Sequence, residues 1–141
     1  MSSQISAFFT GTLKMPHVVL TNVYDFEIFY NNFKKDVLIL NDKNNKEKTN
    51  SIIKFEEVLL NKYRNLILIK TVSIENTNTS QTYYIMVNKK DTQITIRLDP
   101  LTDPTNKTDA VKISLATIAK QYKKLDPTIS IGKTNLEQYL Q

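Results

Sequence analysis

Residues 66–98, LILIKTVSIENTNTSQTYYIMVNKKDTQITIRL, decide the fold. Leu66-Ile67-Leu68-Ile69 is a dense aliphatic run, and Val72 and Ile74 continue it by alternation. Branched side chains are stiff at χ1 and pack well on a pleated surface, so this stretch reads as a strand. Thr82–Val87 (TYYIMV) is a second strand, rich in aromatic and β-branched residues. Ile94, Ile96 and Leu98 alternate with Gln93, Thr95 and Arg97, which makes a third strand with one wet face. Polar Asn76–Gln81 reads as the first connection and Lys89-Lys90-Asp91 as the second. Three consecutive strands joined by short connections form an antiparallel meander.

The second hairpin admits two registers. A two-residue turn puts Tyr83, Ile85 and Val87 on the face of Ile94 and Ile96. A three-residue turn puts Tyr84 and Met86 there instead, because one step swaps the faces of a strand. The scarcity of glycine (only Gly11 and Gly132) argues against tight two-residue hairpins.

Beyond the meander, Asp99-Pro100 and Asp103-Pro104 end the sheet with an extended connection. A helix over Asp109–Leu125 follows. Val111, Leu115, Ile118, Tyr122 and Leu125 form its apolar stripe, Thr108 is the natural cap, and Lys120, Lys123 and Lys124 suit its C-terminal end. Asp126-Pro127 stops it. Ile129 and Ile131 fit a short edge strand, and the capping-box pattern Thr134–Glu137 fits a last turn over Leu136–Leu140.

On the N-terminal side, Val23, Phe26, Tyr30 and Phe33 recur at helical steps, which predicts a helix over Asn22–Lys35 capped by Asn22. Val37–Leu40 (VLIL) reads as a buried strand. Ser51–Asn61 fits either a helical stripe or a strand, and its β-rich surroundings favour the strand. Wholly polar Asn41–Asn50 (NDKNNKEKTN) reads as a loop. The expected fold is therefore α+β, one domain over residues 1–141. A three- to five-stranded antiparallel meander packs on a C-terminal amphipathic helix, with an aromatic N-terminal helix as a second cover. This element order is similar in outline to small single-strand-binding modules of the Whirly type; the likeness is one of order, with no shared motif.

Composition bounds the function. A chain of 141 residues with 40% apolar and 23% charged residues can bury a real core. The absence of cysteine removes disulfides, thiolate catalysis and cysteine metal sites. Residues 1–20 carry neither a basic leader nor a long apolar run, so no signal peptide is read there and a cytoplasmic, intracellular protein is expected. No stretch approaches the ~20 apolar residues of a membrane span. The net charge of +5 is spread: +3 falls in residues 41–70 and +2 in residues 101–141. Only Arg64 and Arg97 are arginine, and lysine supplies point charge without the fork that reads bases.

No motif carries chemistry. Gly132-Lys133-Thr134 mimics the end of a phosphate-binding loop, but Pro127 stands where that loop needs its first glycine. His17 is the lone histidine, and a surface or edge-strand place suits it. Asp99, Asp103 and Asp109 are explained by turns and capping, and Glu56-Glu57 by a solvated pair. No cofactor, metal site or enzyme activity is expected. The candidate site is a basic–aromatic set: Lys62, Tyr63 and Arg64 before the meander, and Lys70, Tyr83, Tyr84, Lys89, Lys90 and Arg97 on it. Exposed aromatics can stack on single-stranded bases while lysines follow the backbone. The first expectation is thus general, sequence-independent nucleic-acid binding, with single strands as the candidate partner. The alternative is a structural or assembly protein that forms homo-oligomers or docks to a larger particle, such as a viral or mobile-element particle. The plain packing role, with tyrosines in the core and lysines on turns, competes with both.

Overall fold

The structure is a computed structural model and describes residues 15–40, 51–76 and 79–141. The polar stretch 41–50 lies outside these residues. Seven antiparallel strands form one sheet: β1 (His17–Thr21), β2 (Asp36–Leu40), β3 (Ser51–Leu60), β4 (Leu66–Asn76), β5 (Thr79–Lys90), β6 (Gln93–Leu98) and β7 (Ser130–Thr134). Their spatial order is β2-β3-β4-β5-β6-β1-β7. The sheet curls into a half-barrel around one main helix, α2 (Asp109–Leu125). A single helical turn, α1 (Ile28–Asn31), sits beside it.

The sheet exceeds the expected three to five strands because β1 and β7 extend the meander β2–β6. Strands β2 to β6 lie side by side in chain order, as neighbours in sequence commonly do. Strand β1 then pairs with β6, Val18 opposite Ile96 and Leu20 opposite Ile94, and β7 closes the far edge on β1. His17 therefore stands on an internal strand, not an edge. Residues 51–60 are strand, as their surroundings favoured. Strands β4 and β5 run on to Asn76 and from Thr79, so the connection expected over Asn76–Gln81 shrinks to two residues.

The predicted helix over Asn22–Lys35 is corrected to the single turn Ile28–Asn31. Asn22 adopts a left-handed φ of 61°, a conformation asparagine tolerates, and turns the chain instead of capping it. The Val23 N–H then bonds to the Thr92 carbonyl at 2.8 Å, so it is spent on the sheet. Val23, Phe26 and Phe29 are buried even so, which is why their spacing mimicked a longer helix.

Helix α2 forms as its sequence directs. Thr108 Oγ1 accepts from the Val111 N–H, Asp109 lies in the first turn, and Lys123 and Lys124 lie in the last. Val111, Leu115, Ile118 and Tyr122 are fully buried against Ile67, Ile69, Ile85, Val87, Ile96 and Leu98 of the sheet. Each such side chain stabilises the fold by about 1.5–3 kcal/mol through removal from water. The Tyr122 ring stacks on Phe29 with centroids 5.4 Å apart, and its hydroxyl donates to the Phe26 carbonyl at 2.7 Å.

The ambiguous hairpin takes the two-residue register. Lys90 faces Gln93, Val87 faces Ile96 and Ile85 faces Leu98. Asp91 adopts φ 57°, doing the work expected of a glycine. The argument from glycine scarcity fails here because a short polar side chain can also occupy the left-handed region. Tyr83 consequently points at the helix and Tyr84 away from it.

Candidate functional site

The register separates the nine expected site residues into three places. Tyr83 is in the core with no exposed surface, so it has no face on which a base could stack. Its hydroxyl lies 2.5 Å from Ser73 Oγ and 3.0 Å from Ser114 Oγ. Ser114 Oγ itself donates to the Val111 carbonyl at 2.5 Å. One direction of donation satisfies the chain: Ser73 to Tyr83, Tyr83 to Ser114, Ser114 to Val111. Burial pushes the Tyr83 phenol up to about 12, against the smaller opposing pull of the two serine hydrogen bonds.

Lys70, Tyr84 and Arg97 occupy the face of the sheet turned away from α2. Lys70 faces Tyr84 across the β4–β5 ladder, and Arg97 lies between Met86 and His17. Lys70 makes a loose contact with Glu56, 3.9 Å apart, both about half exposed. A bulge between Phe55 and Glu57 shifts the β3 register here, so that Glu57, not Glu56, faces Lys70.

The same outer face also carries many apolar side chains among its polar ones. One row across the sheet runs Leu59, Leu68, Met86, Arg97, His17; another runs Ile39, Ile52, Ile74, Ser80. Ile39 is 68% exposed, Val37 52% and Leu59 47%. Leu66, Leu68, Val72, Ile74 and Met86 are half-buried. Antiparallel strands with one solvated face show polar residues on that face, whereas near-continuous apolar runs belong to strands covered on both sides. The Leu66–Ile69 part of β4 is of the second kind. Asn88, between Leu66 and Thr95 on this face, holds its side-chain oxygen buried with no hydrogen-bond partner among the described residues.

Lys62, Tyr63, Arg64, Lys89 and Lys90 gather at one end of the sheet. The β3–β4 turn is built by Asn61, whose Oδ1 accepts from the N–H groups of Asn65 (2.9 Å) and Leu66 (3.0 Å). Arg64 takes φ 58° in this turn. The Lys89 N–H donates to the Asn65 carbonyl at 2.9 Å, which fixes the β5–β6 end beside it. Tyr63 is 75% exposed, with the Lys62 ammonium 5.5 Å from its ring centre. Tyr24, equally exposed, is carried by the neighbouring segment that Val23 ties to Thr92. Arg64, however, is held by both carboxylate oxygens of Glu27, Nε donating to Oε2 at 2.8 Å. That hydrogen bond and charge hold the Glu27 carboxyl below its ordinary range and raise the Arg64 guanidinium.

The sequence pointed to basic and aromatic residues and missed the open apolar face. The available signal was the Leu66–Ile69 run, apolar at every position instead of alternate ones. Among the described residues, no three His, Asp or Glu side chains gather where they could hold a metal, and no helix is long and apolar enough to cross a membrane. No protein-family model, curated protein or solved structure matches the chain.

Proposed function

We propose that this protein is a non-catalytic assembly module whose outer sheet face is covered by a second copy of the same chain. One observation carries the reading: the Leu66–Ile69 part of β4 is apolar on both faces while only one face meets helix α2. Exposed apolar surface in contiguous rows marks interaction sites, and two such faces packed together make the core of a β-sandwich. The scattered charges on the face, Lys54, Glu57, Lys70 and Arg97, lie among the apolar rows and serve orientation more than affinity. Sedimentation equilibrium tests the reading. The expected result is a concentration-dependent dimer that Leu59→Asp and Leu68→Asp abolish without loss of fold. A monomer at every concentration overturns it, as does a face that becomes accessible only after residues 1–14 are removed.

A second reading rests on the hairpin end. Lys62 over the exposed Tyr63 ring, beside Lys89 and Lys90, presents charge and a stacking surface together, as general single-strand binding requires. Glu27 offsets part of that charge. Binding of a single-stranded oligonucleotide that falls steeply with salt supports this reading; none at ~50 mM salt removes it.

A further inference from the structure

A cleft of about 400 Å³ opens on the opposite side of the molecule from the outer sheet face, between α1, β3 and the C-terminal half of α2. Phe29, Phe33, Phe55, Ile118 and Leu125 make its apolar lining. Three of these, Phe29, Phe55 and Ile118, also belong to the buried core, so the floor is rigid. Phe29 and Phe33 meet at a tilt, 6.1 Å between ring centres, and shape one wall.

The rim is different in kind. Lys34 and Lys124 stand on it, both exposed, and among the described residues neither makes an ion pair. Asn32, Thr117 and Gln121 complete the edge, and no Asp or Glu stands among the described side chains that line the cleft. Small-molecule sites have this make-up: about 300–1,000 Å³, mainly apolar, with a few polar groups that orient the ligand. Apolar depth with two lysines at the mouth fits a ligand that is hydrocarbon at one end and anionic at the other.

From this arrangement we infer a binding site for a free medium-chain acyl carboxylate. The hydrocarbon lies against Phe29, Phe33 and Phe55, and the carboxylate sits between Lys34 and Lys124. This site is independent of the sheet face proposed for assembly. The lysines are solvated, so their share is modest, and the apolar contacts supply most of the affinity.

Titration calorimetry of the full chain with decanoate, octanoate, hexanoate and decyltrimethylammonium tests the inference. Decanoate binds one per chain, and each methylene removed weakens binding by about fourfold. Decyltrimethylammonium binds about fivefold more weakly than decanoate, and Lys34→Gln with Lys124→Gln erases that difference. Thr117→Trp, which fills the mouth, removes binding of both amphiphiles, while Leu59→Asp on the sheet face leaves it intact. No decanoate binding overturns the site. So does binding that survives Thr117→Trp but is lost in Leu59→Asp, or a preference for decyltrimethylammonium. The lysine variants alter only exposed side chains, so their outcome stands even if Thr117→Trp fails to fold.

Discussion

The hydroxyl of Tyr83 lies 3.0 Å from Oγ of Ser114, and this contact joins the middle of the sheet to the first half of helix α2. Tyr83→Phe keeps the ring and leaves Ser73 and Ser114 without their shared partner. The expected loss is about 1–3 kcal/mol, seen as a lower urea midpoint at unchanged slope.

The same residue sets an alkaline limit. The Tyr83 phenol is raised to about 12 and that of Tyr122 is raised further, both chiefly by burial. Their unfolded counterparts lose the proton near ~10. The folded chain therefore holds more protons above that value, so stability is full below pH ~10 and falls as pH rises toward about 12. Melting temperatures recorded from pH 8 to 11.5 should drop above pH 10, and Tyr122→Phe should make the drop shallower.

Adjacent residues of β5 should respond in opposite ways. Ile85 is fully buried and Met86 lies on the outer face. Ile85→Ala costs about 2–5 kcal/mol of stability by leaving a cavity. Met86→Lys is expected to leave the monomer's fold nearly unchanged while weakening its self-association. Equal destabilisation by the two would contradict the two-residue register.

Asn88 offers a gain. Its buried oxygen lacks a partner among the described residues, so Asn88→Val removes an unsatisfied acceptor and adds a better strand former. Thermal unfolding should move upward, by about 1 kcal/mol of stability.

Glu27 restrains the hairpin end. Glu27→Gln releases the Arg64 guanidinium, and affinity for a single-stranded oligonucleotide should rise, with the salt dependence steepening by about 0.7 in log–log slope. Lys89→Ala should shift that slope the other way. The ion pair itself contributes to stability above the ordinary carboxylate range. That contribution fades as pH falls through the lowered Glu27 value.

The scaffold was largely legible in the residues. The strand runs at 66–76 and 82–98 and the stripe of α2 are local patterns that tertiary packing had no reason to override. Asn22–Lys35 misled because a buried, bent segment can repeat apolar residues at three- and four-residue steps without being helical. The hairpin register was undecided because it turned on the φ of Asp91, which no side-chain pattern encodes. The site fared worse. Arg64 looked free until the fold brought Glu27, thirty-seven positions away, against it. The outer face was legible only as the missing polar alternation in Leu66–Ile69.

Strand β1 lies between β6 and β7, although it is the first of the described strands in sequence. Val18 finds Ile96 only after the whole meander has been made, and Thr134 later still. On a ribosome adding about 5–20 residues per second, residues 17–21 wait several seconds for either neighbour. The meander can form from successive hairpins during that interval, but β6 keeps a bare flank until β1 returns to it. Strand β1 is thus fitted after strands that follow it in sequence, and β7 is the last stave of the sheet. A chain stalled before β7 would leave the outer edge of β1 bare, ready to capture β7 from another copy.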